Sequence, residues 1–261
     1  MGKARAAAEQ LVFENRQKVR FHSLCAEFGI HDLSAAYAVQ DEFVKILQSE
    51  GEVPVGYKIG LTSGAMQEMT GIPHPISGVV HASMVHSSPA TLHLADYGRL
   101  GLELEIAARF GKTIQPRSVP LSMSEIVDAV EAVCVSIEII DDRNADYSTP
   151  LDLLTLVAEN SWNHGIVTSE FISDWPDLAA CTGRIYRNGV LESEGSGKDV
   201  LGHPLQPLIW LGEHLSRRSE PLTAGTVVTT GNFVRTVFAE APCVFRFDIS
   251  GVGSVTINVE N

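Results

Sequence analysis

Glu103 and Glu105 stand in the run Leu102-Glu103-Leu104-Glu105-Ile106, where apolar and acidic residues alternate with no lysine between them. Period two predicts a β-strand that sends both carboxylates to one face. Carboxylates about 7 Å apart repel and raise each other's pKa unless a cation lies between them. A second run, Val133-Cys134-Val135-Ser136-Ile137-Glu138-Ile139-Ile140, alternates in the same way. It puts Glu138 on the face away from Val133, Val135, Ile137 and Ile139. A lone carboxylate in so apolar a strand is costly to bury unpaired. Three glutamates on two strands suit a hard divalent cation, Mg²⁺ or Mn²⁺, with water or substrate completing the coordination. The alternative is that Glu103 and Glu105 line the wet face of an antiparallel sheet.

Lys58 is the next candidate. It lies in Val55-Gly56-Tyr57-Lys58-Ile59-Gly60-Leu61, a strand pattern between glycines. It either snorkels to solvent or faces the carboxylates as an acid/base or electrostatic partner. Arg143, closing the second acidic strand after Asp141-Asp142, either pairs with those aspartates or binds a substrate carboxylate. Asn232 and Arg235, in Gly231-Asn232-Phe233-Val234-Arg235, either hydrogen-bond a ligand or build a turn. His81, His86 and His93 have no compact zinc-ligand spacing.

The elements that must hold these residues follow from patterning. Residues 4–28 are rich in helix formers, and Gly29 ends that run. Asp32 or Ser34 caps a second helix that carries Tyr37, Val44 and Leu47 on one stripe and stops at Gly51. Residues 62–78, including Thr62-Ser63-Gly64 and Gly71-Ile72-Pro73, read as a long binding loop, and residues 79–85 as a short strand. Ser122 or Ser124 caps a helix to about Glu131, and residues 149–160 mix helix and loop signals. Residues 182–191 form a hairpin turning at Asn188-Gly189. An amphipathic helix runs from Gly202-His203-Pro204 to about Leu215, and strands follow at 226–230, 244–249 and 254–259.

The whole chain narrows the classes. Its 261 residues carry a formal charge of −13, which argues against nucleic acid and anionic membranes as partners. An anionic substrate remains open, because a bound cation reverses the sign locally. Cys25, Cys134, Cys181 and Cys243 are scattered with no CxxC, the usage of a reduced cytosolic protein. No apolar run is long enough for a membrane span, and the basic N-terminus lacks a signal-peptide core. There is no GxSxG, dinucleotide fingerprint or HExxH.

Five segments occur in order: Gly56-Tyr57-Lys58-Ile59-Gly60-Leu61-Thr62-Ser63, Glu103-x-Glu105, Ile137-Glu138-Ile139-Ile140-Asp141-Asp142-Arg143, Leu201-Gly202-His203-Pro204 and Gly251-Val252-Gly253-Ser254-Val255. Together they resemble the 2-oxopent-4-enoate hydratase and 4-oxalocrotonate decarboxylase group of the fumarylacetoacetate hydrolase superfamily. The resemblance implies an α+β fold, a mixed-β roll at residues 53–261 with an N-terminal helical extension at 1–52. It implies Mg²⁺ or Mn²⁺ on Glu103, Glu105 and Glu138, with Lys58 and a water at Glu159 as proton carriers. Ser63, Arg143, Asn232 and Arg235 are the implied substrate contacts, Arg235 toward a distal carboxylate. The implied reaction is hydration of a 2-hydroxy-2,4-dienoate in aromatic catabolism. Decarboxylation of a 4-oxalocrotonate-type acid, C–C hydrolysis of an acylpyruvate, or a supporting or 2-oxo acid binding role are the alternatives. A cytoplasmic homo-oligomer is implied, possibly joined to a pathway hydratase or decarboxylase. Three positions depart from the group's pattern: Ser83 replaces an aspartate, Gly101 a basic residue, and Glu159-Asn160 the usual Asp-Asn pair.

Overall fold

The structure is a computed structural model and describes residues 2–261. Its helices are α1 (Lys3–Arg16), α2 (Cys25–Phe28), α3 (Leu33–Ser49), α4 (Gly64–Thr70), α5 (Met123–Ala129), α6 (Leu153–Ala158) and α7 (Gln206–Arg217). Among them run strands β1 (Pro54–Gly60), β2 (Ile76–His81), β3 (Val85–Ser87), β4 (Ala90–His93), β5 (Leu100–Phe110), β6 (Val130–Asp141) and β7 (Asn163–Thr168). The chain continues with β8 (Thr182–Arg187), β9 (Val190–Ser196), β10 (Val227–Thr229), β11 (Val237–Phe238), β12 (Cys243–Ile249) and β13 (Gly253–Glu260).

The strands form two mixed sheets, the α+β architecture expected from the sequence. The larger has the order β2-β1-β10-β5-β6-β7-β3, with β11 also on β5; the smaller has the order β4-β13-β12-β8-β9. Strands β5 and β6 pair antiparallel along nearly their whole length, and Glu103 faces Glu138 across the ladder. Their apolar faces, with Leu102, Leu104, Ile106, Val133, Val135 and Ile137, share a core with Phe245, Phe247, Val255 and Ile257 of the smaller sheet. Strand alternation therefore sends the glutamates to the opposite face.

A second core covers that side. Ala7, Ala8, Leu11 and Val12 of α1 recur with helical spacing and pack with Ala36, Val39, Phe43 and Ile46 of α3. Ile76, Ile140, Leu156, Val157 and Trp162 complete this cluster. Gln40 on α3 donates through Nε2 to the carbonyls of Ser77, at 2.9 Å, and Val157, at 2.7 Å, and so ties the helices to β2 and α6.

Several local expectations are realised. Asp32 caps α3 by accepting from the Ala35 amide, and Ser122 forms a capping box with Glu125. Asn188 and Gly189, both at positive φ, turn the β8–β9 hairpin. The cysteines are all free.

Others are corrected. The first helix stops at Arg16, not near residue 28, because Lys18 turns left-handed (φ 51°) and the chain then runs extended. That path lets the Phe21 amide donate to the Arg143 carbonyl, while the Phe21 ring packs edge-on to Trp162 at 5.1 Å. The expected loop at 62–78 contains α4 and the start of β2, with Ser63 accepting from the Met66 amide as the helix cap. Strand β7, which begins with polar Asn163 and His164, has no clear signal in the sequence.

No helix among the described residues is long and apolar enough to cross a membrane.

Candidate metal centre and cavity

One carboxylate oxygen from each of Glu103, Glu105 and Glu138 lies within 4.8 Å of the other two. Glu105 and Glu138 are fully buried and Glu103 is half-buried. A wet sheet face, the alternative reading, is therefore excluded. The N-terminal helices and β2 cover that face.

Each carboxylate is steered by a neighbour. The Thr236 hydroxyl donates to Glu103. The Gly231 amide donates to Glu105 Oε2 at 2.8 Å, and Asn163 Nδ2 to Glu138 Oε1 at 3.1 Å. Gly231 sits at φ 111°, and a Cβ there would fall 1.9 Å from the Thr62 hydroxyl. Only glycine brings that amide to Glu105. Glu105 Oε1 and Glu138 Oε2 are buried with no hydrogen-bond partner among the described residues.

Lys58 Nζ lies 3.2 Å from Glu138 Oε1. Strand β10 stands between β1 and β5, pairing Lys58 with Thr229 and Thr229 with Ala107, so the lysine reaches the glutamates across an intervening strand. Burial works to lower its pKa, but the charges of Glu138, Glu103 and Glu105 outweigh this and hold it above its ordinary value. Burial, then the Glu138 and Glu103 charges, raises Glu105 well above the carboxylate range. Burial pushes Glu138 up to about 7 against the pull of Lys58. Three carboxylates against one ammonium leave a surplus of negative charge in a dry site. An all-oxygen donor set with two unpartnered buried oxygens fits a hard divalent cation. Among the described residues no other group of His, Cys, Asp and Glu is arranged to hold a metal, the three histidines considered above included.

The centre opens into a cavity of about 490 Å³. Lys58, Glu103 and Thr236 line it together beside the metal centre, and Leu61, Met66, Ile76, Leu153, Leu156 and Trp162 form much of the wall. Trp162 and Ser161 are presented by three consecutive left-handed residues, Asn160 to Trp162. The Asn160 side chain pins this segment to β2, donating to the Val79 carbonyl at 2.8 Å and accepting from its amide at 2.6 Å. Such backbone is uncommon outside sites that over-determine it.

The remaining candidates are not brought to this cavity. Arg143 and Glu159 are buried and paired with each other, and Arg143 also meets Glu14 at 3.7 Å and donates to the Val19 carbonyl at 2.7 Å. Burial pushes Glu159 up to about 8 against the opposing Arg143 charge. Ser63 is the α4 cap, Asn232 Oδ1 accepts from the Val234 amide at 3.3 Å, and Arg235 is exposed. Ser83 is exposed on the protein's flank, donating to Glu52. Gly101 has a packing role, since a Cβ there would lie 2.6 Å from Ile140 and 3.1 Å from the Phe238 ring. Sequence reasoning missed Thr236 and Asn163. Neither sits in a motif, and only the polar run beginning at Ser161 hinted at the second.

Residues 63–260 match the family described as Fumarylacetoacetate (FAA) hydrolase C-terminal. The chain belongs to the fumarylacetoacetate hydrolase family. This family member is 29% identical over 255 residues to 2-oxo-hept-4-ene-1,7-dioate hydratase of Escherichia coli, with 95% of each chain covered. It is 31% identical to 2-keto-4-pentenoate hydratase of Burkholderia vietnamiensis, covering 86% of this chain and 85% of that one. Its fold is similar to that of 4-oxalocrotonate decarboxylase from Pseudomonas putida G7, complexed with magnesium and adipate. The TM-score is 0.91 at 24% identity, with 98% and 97% of the two chains covered.

Proposed function

We propose that this chain is a divalent-metal-dependent hydratase that adds water to a 2-hydroxy-2,4-dienoate and yields a 4-hydroxy-2-oxo acid, as a step in aromatic catabolism. The observation that carries the reading is the buried Glu103, Glu105, Glu138 cluster with Lys58 at 3.2 Å, opening on a cavity. The names of the hydratase relatives, covered over most of their length, support the same reaction class.

Glu103, Glu105 and Glu138 would hold Mg²⁺ or Mn²⁺, which supplies Lewis-acid stabilisation of negative charge on the 2-oxygen and orients the acid. Thr236, Gly231 and Asn163 fix the three carboxylates so that their free oxygens converge. Lys58 faces the same point; its ammonium is the group placed to give a proton to carbon, and the amine so formed to take the 2-hydroxyl proton. In the balanced reaction the enol O–H is lost and C5 gains a proton. Hydroxide then adds at C4 and a proton at C3, so one water is consumed overall. The apolar walls exclude bulk water from the developing enolate. Arg143, paired with Glu159 behind the wall, has the position of a support for the Asp141–Arg143 turn rather than of a substrate contact.

Purified chain with Mg²⁺ converts 2-hydroxypenta-2,4-dienoate to a product one water heavier, and EDTA stops the reaction. Loss of CO₂ from 2-oxohex-3-enedioate under the same conditions, with no hydration, would make it a decarboxylase instead. Turnover of neither would reject a lyase of this kind.

The chain is further proposed to act in the cytoplasm as a homo-oligomer. Val190, Leu191 and Val244 support this, since they stand exposed together around the β8–β9 turn. Sedimentation of the purified chain as a monomer at micromolar concentration would refute it.

A further inference from the structure

We propose that the acid this cavity takes carries an uncharged, apolar substituent, alkyl or aryl, at its far end and no second carboxylate. The proposal rests on the reading of the site as one for a 2-oxo or 2-hydroxydienoic acid.

Size is the first argument. A cavity of about 490 Å³ lies in the range that buries ligands of drug size, well beyond what a five-carbon acid fills. Charge is the second. Lys58 is the only cationic side chain that lines the cavity among the described residues, and it stands beside the metal centre, matched by Glu138 at 3.2 Å. Apart from Lys58 and Glu103 the polar lining, Tyr147, Ser148, Thr149, Ser161 and Thr236, is neutral. The nearby arginines are committed elsewhere or outside. Arg143 is buried against Glu159 and Glu14. Arg99, behind the Tyr147 ring, donates to both oxygens of Asp142. Arg235 is exposed and does not line the cavity.

A distal carboxylate would leave water for a wall of leucine, isoleucine, methionine and tryptophan with no counter-ion, and burial of an unpaired charge is strongly unfavourable. An apolar tail gains instead, by about fourfold per buried methylene, the equivalent of about 0.8 kcal/mol.

Binding of unreactive 2-oxo acids to the Mg²⁺-loaded protein, followed by calorimetry, tests this without turnover. 2-Oxooctanoate is expected to bind at least about tenfold more tightly than 2-oxopentanoate, three methylenes shorter. It should bind at least about 100-fold more tightly than 2-oxoheptanedioate, a cost of about 2.7 kcal/mol for the unpaired charge. Leu153→Arg, and separately Leu151→Arg, place a cation in the wall and should narrow or reverse the second ratio.

Equal binding of all three acids would overturn the proposal. So would a diacid that binds as tightly as 2-oxooctanoate, and loss of that affinity in Arg235→Ala would assign the distal carboxylate to Arg235. Graded binding without turnover of any dienoate leaves the cavity proposal standing and rejects the hydratase reading. Hydration of 2-hydroxypenta-2,4-dienoate with ungraded binding does the reverse.

Discussion

Glu105→Gln is expected to remove divalent-metal binding and activity together while leaving the fold intact. The amide keeps an oxygen for the Gly231 N–H, so the local hydrogen bond survives. What is lost is one of three anionic ligands. Loss of even an outer partner of a metal ligand costs about 10- to 100-fold in affinity, so loss of the ligand itself should exceed about 100-fold. The stability response runs the other way. Two charged carboxylates with oxygens within 4.8 Å of each other repel by about 3 kcal/mol or more at an effective dielectric near 20, and this one is fully buried. In EDTA the variant should therefore melt at or above the parent. The parent alone should rise when Mg²⁺ is added, by about 2.7 kcal/mol at a hundred times its Kd. Thermal melts with and without Mg²⁺, together with Mn²⁺ titration, separate these outcomes. Parent-like Mn²⁺ affinity in the variant would show that the metal centre has been placed wrongly.

Arg143→Met carries the largest expected loss of stability. The guanidinium is 1% exposed and sits between Glu159 and Glu14, both buried. Its removal strands Glu159 in the core, and stripping one partner from a buried pair costs about 3–5 kcal/mol. Glu14 suffers less, since Gln10 Nε2 still donates to it at 2.7 Å and His22 lies 3.2 Å away. Adding Glu159→Leu to Arg143→Met should recover most of the loss, because the stranded Glu159 carboxyl is removed and Glu14 keeps Gln10 and His22. Urea melts of the two single variants and the double variant measure this. If Arg143→Met instead keeps its stability and raises KM for the acid, the arginine binds substrate and the pair is incidental.

These two sites differ in how far they could be read from the sequence. The glutamates were legible because strand alternation is local. A carboxylate every second residue among leucines states its own face, and Glu138 among isoleucines does the same. The register that sets Glu103 against Glu138 is not local, yet it follows once both faces are fixed. Lys58 was legible as a charge out of place in an apolar strand, but nothing in the sequence indicated that it reaches the glutamates past β10. Arg143 was read either as a partner of Asp141 and Asp142 or as a substrate contact, and Glu159, through the resemblance, as the holder of a water. Their mutual pairing is a tertiary fact, set by the turn after β6 and the short α6. The end of α1 at Arg16 was hidden for the same reason. Residues 17–21 carry no glycine or proline, and the helix breaks where Phe21 finds Trp162 and the Arg143 carbonyl. The cavity wall at Leu151–Leu156 gave mixed signals because a six-residue helix is too short to show a period.

The placing of β10 between β1 and β5 also governs when the centre can come into being. Lys58 and the three glutamates all precede Val227–Thr229, the strand that spaces the lysine from them. On the ribosome β5 and β6 can pair with each other first, but the strand of Lys58 stays unjoined to them until β10 has emerged. Pairings between such distant segments form slowly, because loop closure precedes any gain from contact. A nascent chain cut short before Val227 can set its three glutamates together on β5 and β6, but it lacks the strand that brings Lys58 to them and the Gly231 and Thr236 donors that steer Glu105 and Glu103.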